Sequence, residues 1–81
     1  MTGYRVQYST EARACLDALS GPARARFDTG VGALAADPYG AGSVAIRERD
    51  YRQALVGGCV TVYYVSAGVR VVSVTRAQGP P

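Results

Sequence analysis

The sequence predicts an α+β fold of order β-α-α-β-β-β, with a helical hairpin packed on one face of a largely antiparallel four-stranded sheet. Three observations lead there: period-two alternation near the start, two stretches of helical periodicity separated by Ser20-Gly21-Pro22, and a change after Val44 to β-branched and aromatic residues punctuated by glycine. The 81 residues, 48% of them hydrophobic, allow one domain spanning 1–81 with a modest core.

Tyr4, Val6 and Tyr8 alternate with Arg5 and Gln7, the pattern of a half-buried strand. Ser9 or Thr10 then supplies an N-cap, Glu11 favours the first turn, and Ala12, Cys15, Leu16 and Leu19 share a face of a helix running to about Ser20. Gly21 breaks that helix, and Pro22 suits the first turn of the next because its missing N–H would have no partner there. Ala23, Phe27, Val31 and Leu34 form the second buried stripe. Gly30 and Gly32 each cost about 1 kcal/mol relative to alanine inside a helix, so this element relies on packing. It closes near Asp37-Pro38, where proline disfavours helical geometry in the residue before it, and Tyr39 to Ser43 reads as a loop. Three strands follow, at about Ala45 to Leu55 with an irregular start, Cys59 to Val65 and Val69 to Thr75. Gly57-Gly58 and Ser66-Ala67-Gly68 are the turns between them, and Gly79-Pro80-Pro81 reads as a frayed tail.

All nine basic residues are arginine, giving a net charge of +3. The first 46 residues are balanced, so the excess lies in residues 47–81, where any polyanion would be met. Histidine, lysine and tryptophan are absent, which removes a histidine base or metal ligand, a Schiff-base lysine and a Walker phosphate loop. Cys15 and Cys59 have neither metal-ligand nor redox-motif spacing and read as buried free thiols. Neither a secretory h-region nor an apolar run long enough to span a membrane is seen, which makes the cytosol the expected compartment. No cofactor or metal is expected.

Tyr4-Arg5-Val6-Gln7-Tyr8-Ser9 followed by Glu11-Ala12 resembles the opening strand and helix cap of RelE/ParE toxins. Leu34-Ala35-Ala36-Asp37-Pro38 resembles the close of that family's second helix, Ile46-Arg47 its apolar-basic approach to the sheet, Tyr51-Arg52 the start of its second strand and Val62-Tyr63-Tyr64-Val65 its third. The resemblance spans nearly the whole chain. It implies the toxin of a type II toxin-antitoxin pair, either a RelE-like ribosome-dependent mRNA endoribonuclease or a ParE-like inhibitor of DNA gyrase. The implied partners are a cognate antitoxin protein together with the ribosome and mRNA, or gyrase in the alternative.

Cleavage through the RNA 2′-hydroxyl requires a base, donors for the phosphorane charge and an acid for the departing 5′-oxygen. Without histidine or lysine, arginines and tyrosines must serve. If Tyr51, Gln53 and Leu55 share one face of their strand, Arg52 takes the helix-free face, where its guanidinium would grip a phosphate bidentately. Arg52 and Arg76 are therefore the candidate catalytic residues, with Arg47, Arg49 and Tyr64 positioning RNA. Tyr63 falls in the core. Two departures from the family stand out: Cys59-Val60 where many RelE-like nucleases carry an arginine, and Thr75-Arg76-Ala77-Gln78-Gly79-Pro80-Pro81 in place of a basic stretch ending in tyrosine. The same alternation puts Arg52, Ala54, Val60, Val62 and Tyr64 on the free face, an apolar surface suited to a protein partner. The second reading is accordingly a non-enzymatic interaction module, gyrase-binding or with a decayed nuclease site.

Overall fold

A computed structural model describes residues 3–40 and 42–79. Along the chain run β1 (Arg5–Tyr8), α1 (Thr10–Asp17), α2 (Gly21–Ala36), β2 (Ser43–Ile46), β3 (Glu48–Val56), β4 (Cys59–Ser66) and β5 (Val71–Gln78). The strands form one sheet in the order β1-β5-β4-β3-β2. All neighbours are antiparallel except β1 and β5, which run parallel. The expected fraying of Pro80 and Pro81 lies outside the described residues.

The α+β class and element order agree with the sequence reading, but the sheet has five strands rather than four. The single strand expected over Ala45 to Leu55 is two, because the chain reverses at Arg47, whose φ is 69°. β2 then pairs antiparallel with β3, with a register shift between Ala45 and Ile46. No glycine or asparagine marks this reversal, and an arginine takes the left-handed conformation those residues normally supply. Arg70 does the same with φ 57° before β5, so the last strand begins at Val71 and extends to Gln78.

Both helices begin on serine caps. The Ser9 Oγ accepts the Ala12 N–H at 3.0 Å and donates to the Thr75 carbonyl at 3.0 Å, tying the start of α1 to β5. The Ser20 Oγ accepts the Ala23 N–H at 3.2 Å, with Pro22 in the first turn of α2. Ala12 and Leu16 from α1 and Phe27 and Leu34 from α2 pack on Val56, Cys59, Tyr63, Val65, Val72, Val74 and Ala77. One face of the sheet is thereby covered by helix. Cys15, expected in this core, is exposed, while Cys59 is buried as expected. The α1 stripe is narrower than the sequence suggested: Ala12 and Leu16 meet the sheet and residue 15 lies on its flank.

Two contacts lock the helix layer to the sheet. The Tyr63 ring is fully buried and its hydroxyl donates to the Pro38 carbonyl at 2.7 Å, 25 residues away. Tyr63→Phe should cost about 1–3 kcal/mol in denaturant unfolding, because it leaves that buried carbonyl without its donor; a change below a few tenths would show that water replaces the hydroxyl. The second contact is the turn at Gly57-Gly58, where φ values of 58° and 86° give the type I′ geometry of a two-residue hairpin. It abuts α2 so closely that Gly30 has the backbone nitrogen of Gly57 within 3.1 Å of the position a Cβ would occupy. Gly30 thus stands where helix and turn meet. Among the described residues, no helix is long and apolar enough to cross a membrane.

Candidate functional site

The hairpin at Gly57-Gly58 sets which side chains face the helices. It pairs Val56 with Cys59, then Ala54 with Thr61 and Arg52 with Tyr63. Cys59, Thr61 and Tyr63 are buried, so Arg52 and Ala54 share their side of the sheet. This corrects the face expected for both residues: Tyr51, Gln53 and Leu55 point to the helix-free side, opposite Tyr64, Val62 and Val60. Val44 joins them through its pairing with Gln53. Val44 is 66% exposed, Leu55 70%, Val60 41% and Tyr64 38%, so the free face carries a continuous apolar patch of the kind that marks an interaction surface.

On the helix side, Arg52 is a fastener of the β2–β3 hairpin. Its Nε and Nη2 donate to the Ser43 Oγ at 3.1 and 2.9 Å, and its Nη1 donates to the Arg49 carbonyl at 2.8 Å. Its guanidinium also lies 5.4 Å from the centre of the Tyr39 ring, which Arg49 approaches at 4.4 Å. The Tyr39 hydroxyl donates to Asp50 at 2.6 Å. That hydrogen bond, with burial and the carboxylate charge adding and Arg49 opposing, raises the Tyr39 phenol above its ordinary pKa. Exposed Arg47 sits at the reversal itself. The structure therefore gathers Arg49 and Arg52 around Tyr39, with Arg47 next to them in the chain. Arg76 stands apart, on β5 with β4 intervening.

The surroundings of Arg76 differ. A register shift between Val62 and Tyr63 leaves Thr75 as an extra residue in β5, and this bulge turns Arg76 to the free face opposite Val62. The Ser9 contact to the Thr75 carbonyl brings the first turn of α1 beside the bulge, where the Glu11 carboxylate lies 3.8 Å from the Arg76 Nε. Glu11, Tyr51, Val62, Thr75 and Arg76 line an open, largely polar pocket of about 280 Å³. At its side Tyr51 and Tyr64 stand with ring centres 6.5 Å apart. The charge of Glu48, followed by burial and Asp50, raises the Tyr64 phenol above its ordinary pKa. Of the expected site residues, Arg76 and Tyr64 lie on this face; Arg52 does not. The sequence reading missed Glu11, Tyr51 and Thr75 as pocket residues, since Glu11 carried only a helix-start signal and the bulge carried none. Among the described residues, no group of three or more Cys, Asp or Glu side chains gathers as a metal site would require.

No protein-family model and no curated protein matches the sequence. The backbone, by contrast, superposes on a chain of the RelBE2 toxin-antitoxin complex from Mycobacterium tuberculosis with a TM-score of 0.82, covering 98% of this chain and 100% of that one at 21% identity. The chain has the RelE fold. A chain of the archaeal RelE-RelB complex from Pyrococcus horikoshii also matches, with a TM-score of 0.77 and 18% identity over 96% of each chain. At these identities the RelE likeness is one of backbone.

Proposed function

We propose that the chain is the toxin of a type II toxin-antitoxin pair, and that it inhibits translation by cleaving mRNA on the ribosome. The observation that carries this reading is the helix-free face of a RelE fold on which Arg76 and Tyr51 line a polar pocket, with Tyr64 beside Tyr51. Arg76 binds the scissile phosphate, as a fixed guanidinium fork does well. Tyr64 stacks on a base. Arg47 and Arg49 hold the RNA backbone at the β2–β3 reversal, and Arg52 is a positioning residue that holds that reversal in shape. A cognate antitoxin covers the apolar patch of Val44, Leu55, Val60 and Tyr64. The chemistry uses side chains alone and the site is cytoplasmic.

Induced expression of the chain should arrest growth, and co-expression of the neighbouring antitoxin gene should relieve the arrest. Purified chain added to translating ribosomes should yield cleaved message. Uncleaved mRNA combined with blocked gyrase supercoiling would instead establish the second reading, a gyrase-binding module, which the apolar character of the free face favours. Normal growth under induction, with or without the neighbouring gene, would dispose of both.

A further inference from the structure

We propose that Glu11 is the general base of this pocket, acting on single-stranded RNA by taking the proton of the 2′-hydroxyl while Arg76 holds the adjacent phosphate. The inference rests on the RNA-cleaving reading above and assigns the group that the reading leaves open. A 2′-hydroxyl attacks only if something accepts its proton. Of the groups lining the pocket, arginine offers only donors, threonine is neutral and a phenol gives a proton more readily than it takes one at neutral pH, whereas an ionised carboxylate is a pure acceptor. Among the described residues, Glu11 is the one carboxylate lining it.

Its placement suits the task. Val62 of β4 forms the floor, Glu11 and Arg76 stand on the β5 side, and Tyr51 of β3 forms the far wall. Strands β3 and β5 are two spacings apart, about 9–10 Å. That gap, part of a pocket of about 280 Å³, leaves room for a phosphodiester between Glu11 on one side and Tyr51 on the other. The Glu11–Arg76 contact is long, at 3.8 Å, between side chains 66% and 64% exposed, so an entering phosphate can take over the guanidinium without breaking a buried pair. Ser9, by capping α1 and binding the Thr75 carbonyl at once, fixes Glu11 relative to the bulge.

The step runs as an in-line displacement. Glu11 takes the 2′-hydroxyl proton, the 2′-oxygen bonds to phosphorus, and the P–O5′ bond breaks as Tyr51 gives its proton to the leaving oxygen. The products are a 2′,3′-cyclic phosphate and a free 5′-hydroxyl. Water carries the proton from Glu11 to the Tyr51 phenolate, restoring both groups.

The test is cleavage of a defined message on programmed ribosomes by the wild-type chain, Glu11→Gln and Glu11→Asp, with a second message carrying 2′-deoxyribose at the cut position. Glu11→Gln should lower kcat about 100-fold or more while KM stays level or falls, because Arg76 has lost its counter-ion. Glu11→Asp should recover part of that loss, and the 2′-deoxy message should resist the wild-type chain. A Glu11→Gln chain within threefold of wild-type kcat would make Glu11 a counter-ion only, overturning this inference while leaving the RNA-cleaving reading in place. Cutting of the 2′-deoxy message would also overturn it. A wild-type chain inert on every message would remove the reading and the inference together.

Discussion

Replacing Gly57 with alanine is expected to destabilise the fold by about 3 kcal/mol or more, a loss visible as a large shift of the urea midpoint. A Cβ at this position would lie 2.5 Å from the carbonyl carbon and oxygen of Arg26 and 2.5 Å from the nitrogen of Phe27. These are backbone atoms of α2 and cannot swing aside as a side-chain tip could. Left-handed geometry, with φ 58°, adds its own cost for any residue with a Cβ. The total stability of a chain this size is on the order of 4–12 kcal/mol, so one methyl group would remove a large share of it. Gly58→Ala is the internal control. Its φ of 86° is also positive, but among the described residues nothing lies within 4 Å of the added carbon, so its cost should stay near 1–2 kcal/mol. Equal losses at the two positions would mean that backbone conformation, and not the approach of α2, sets the requirement for glycine.

Arg76→Ala and Arg52→Ala should separate function from architecture. Arg76 is well exposed and its ion pair among the described residues is a long contact to Glu11, so its removal should leave the melting temperature nearly unchanged. Toxicity should vanish, with cleavage reduced by about 100- to 1,000-fold, the usual effect of deleting a donor to developing phosphorane charge. Arg52→Ala should behave oppositely. It deletes the hydrogen bonds to Ser43 that hold β2 on β3, and the one to the Arg49 carbonyl within β3, at a cost of about 1–3 kcal/mol, and activity should fall only as far as the hairpin loosens. Growth assays at matched expression beside thermal melts would decide. A stable but inactive Arg52→Ala chain would return the phosphate-binding role to Arg52.

The order of elements was legible because each depends on local chemistry: alternation in β1, the cap at Ser9 or Thr10 before α1, proline in the first turn of α2, and the glycine pair between β3 and β4. The fifth strand was hidden because its turn uses Arg47 where a glycine would have announced it. The face of Arg52 is a different case, since the means of finding it were present. A two-residue turn pairs Val56 with Cys59, and counting outward puts Arg52 opposite Tyr63. Taking Tyr63 as core therefore required Arg52 to lie on the same side. The aromatic and apolar character of Tyr51 and Leu55 pointed the other way, yet both lie on the helix-free face, Leu55 as part of the exposed patch. Arg76 was legible as a charge at the end of the last strand, but its partner was not. Glu11 reaches it only through a bulge at Thr75 and a hydrogen bond spanning 66 residues, from Ser9 to Thr75, and no local pattern encodes either.

The parallel pairing of β1 with β5 has a kinetic consequence. Among the described residues β5 is the last strand, yet it lies inside the sheet, and it is the one strand that β1 pairs with. The hairpins from β2 to β4 can form from contacts close in sequence, whereas β1 must wait until a loop of nearly the whole chain closes. Glu11 and Arg76 lie on the two sides of that closure. A partly folded chain lacking β5 cannot hold them together, and loss of the last strand separates them at once. The pocket exists only once that closure is made, so whatever chemistry it performs depends on the pairing of β1 with β5.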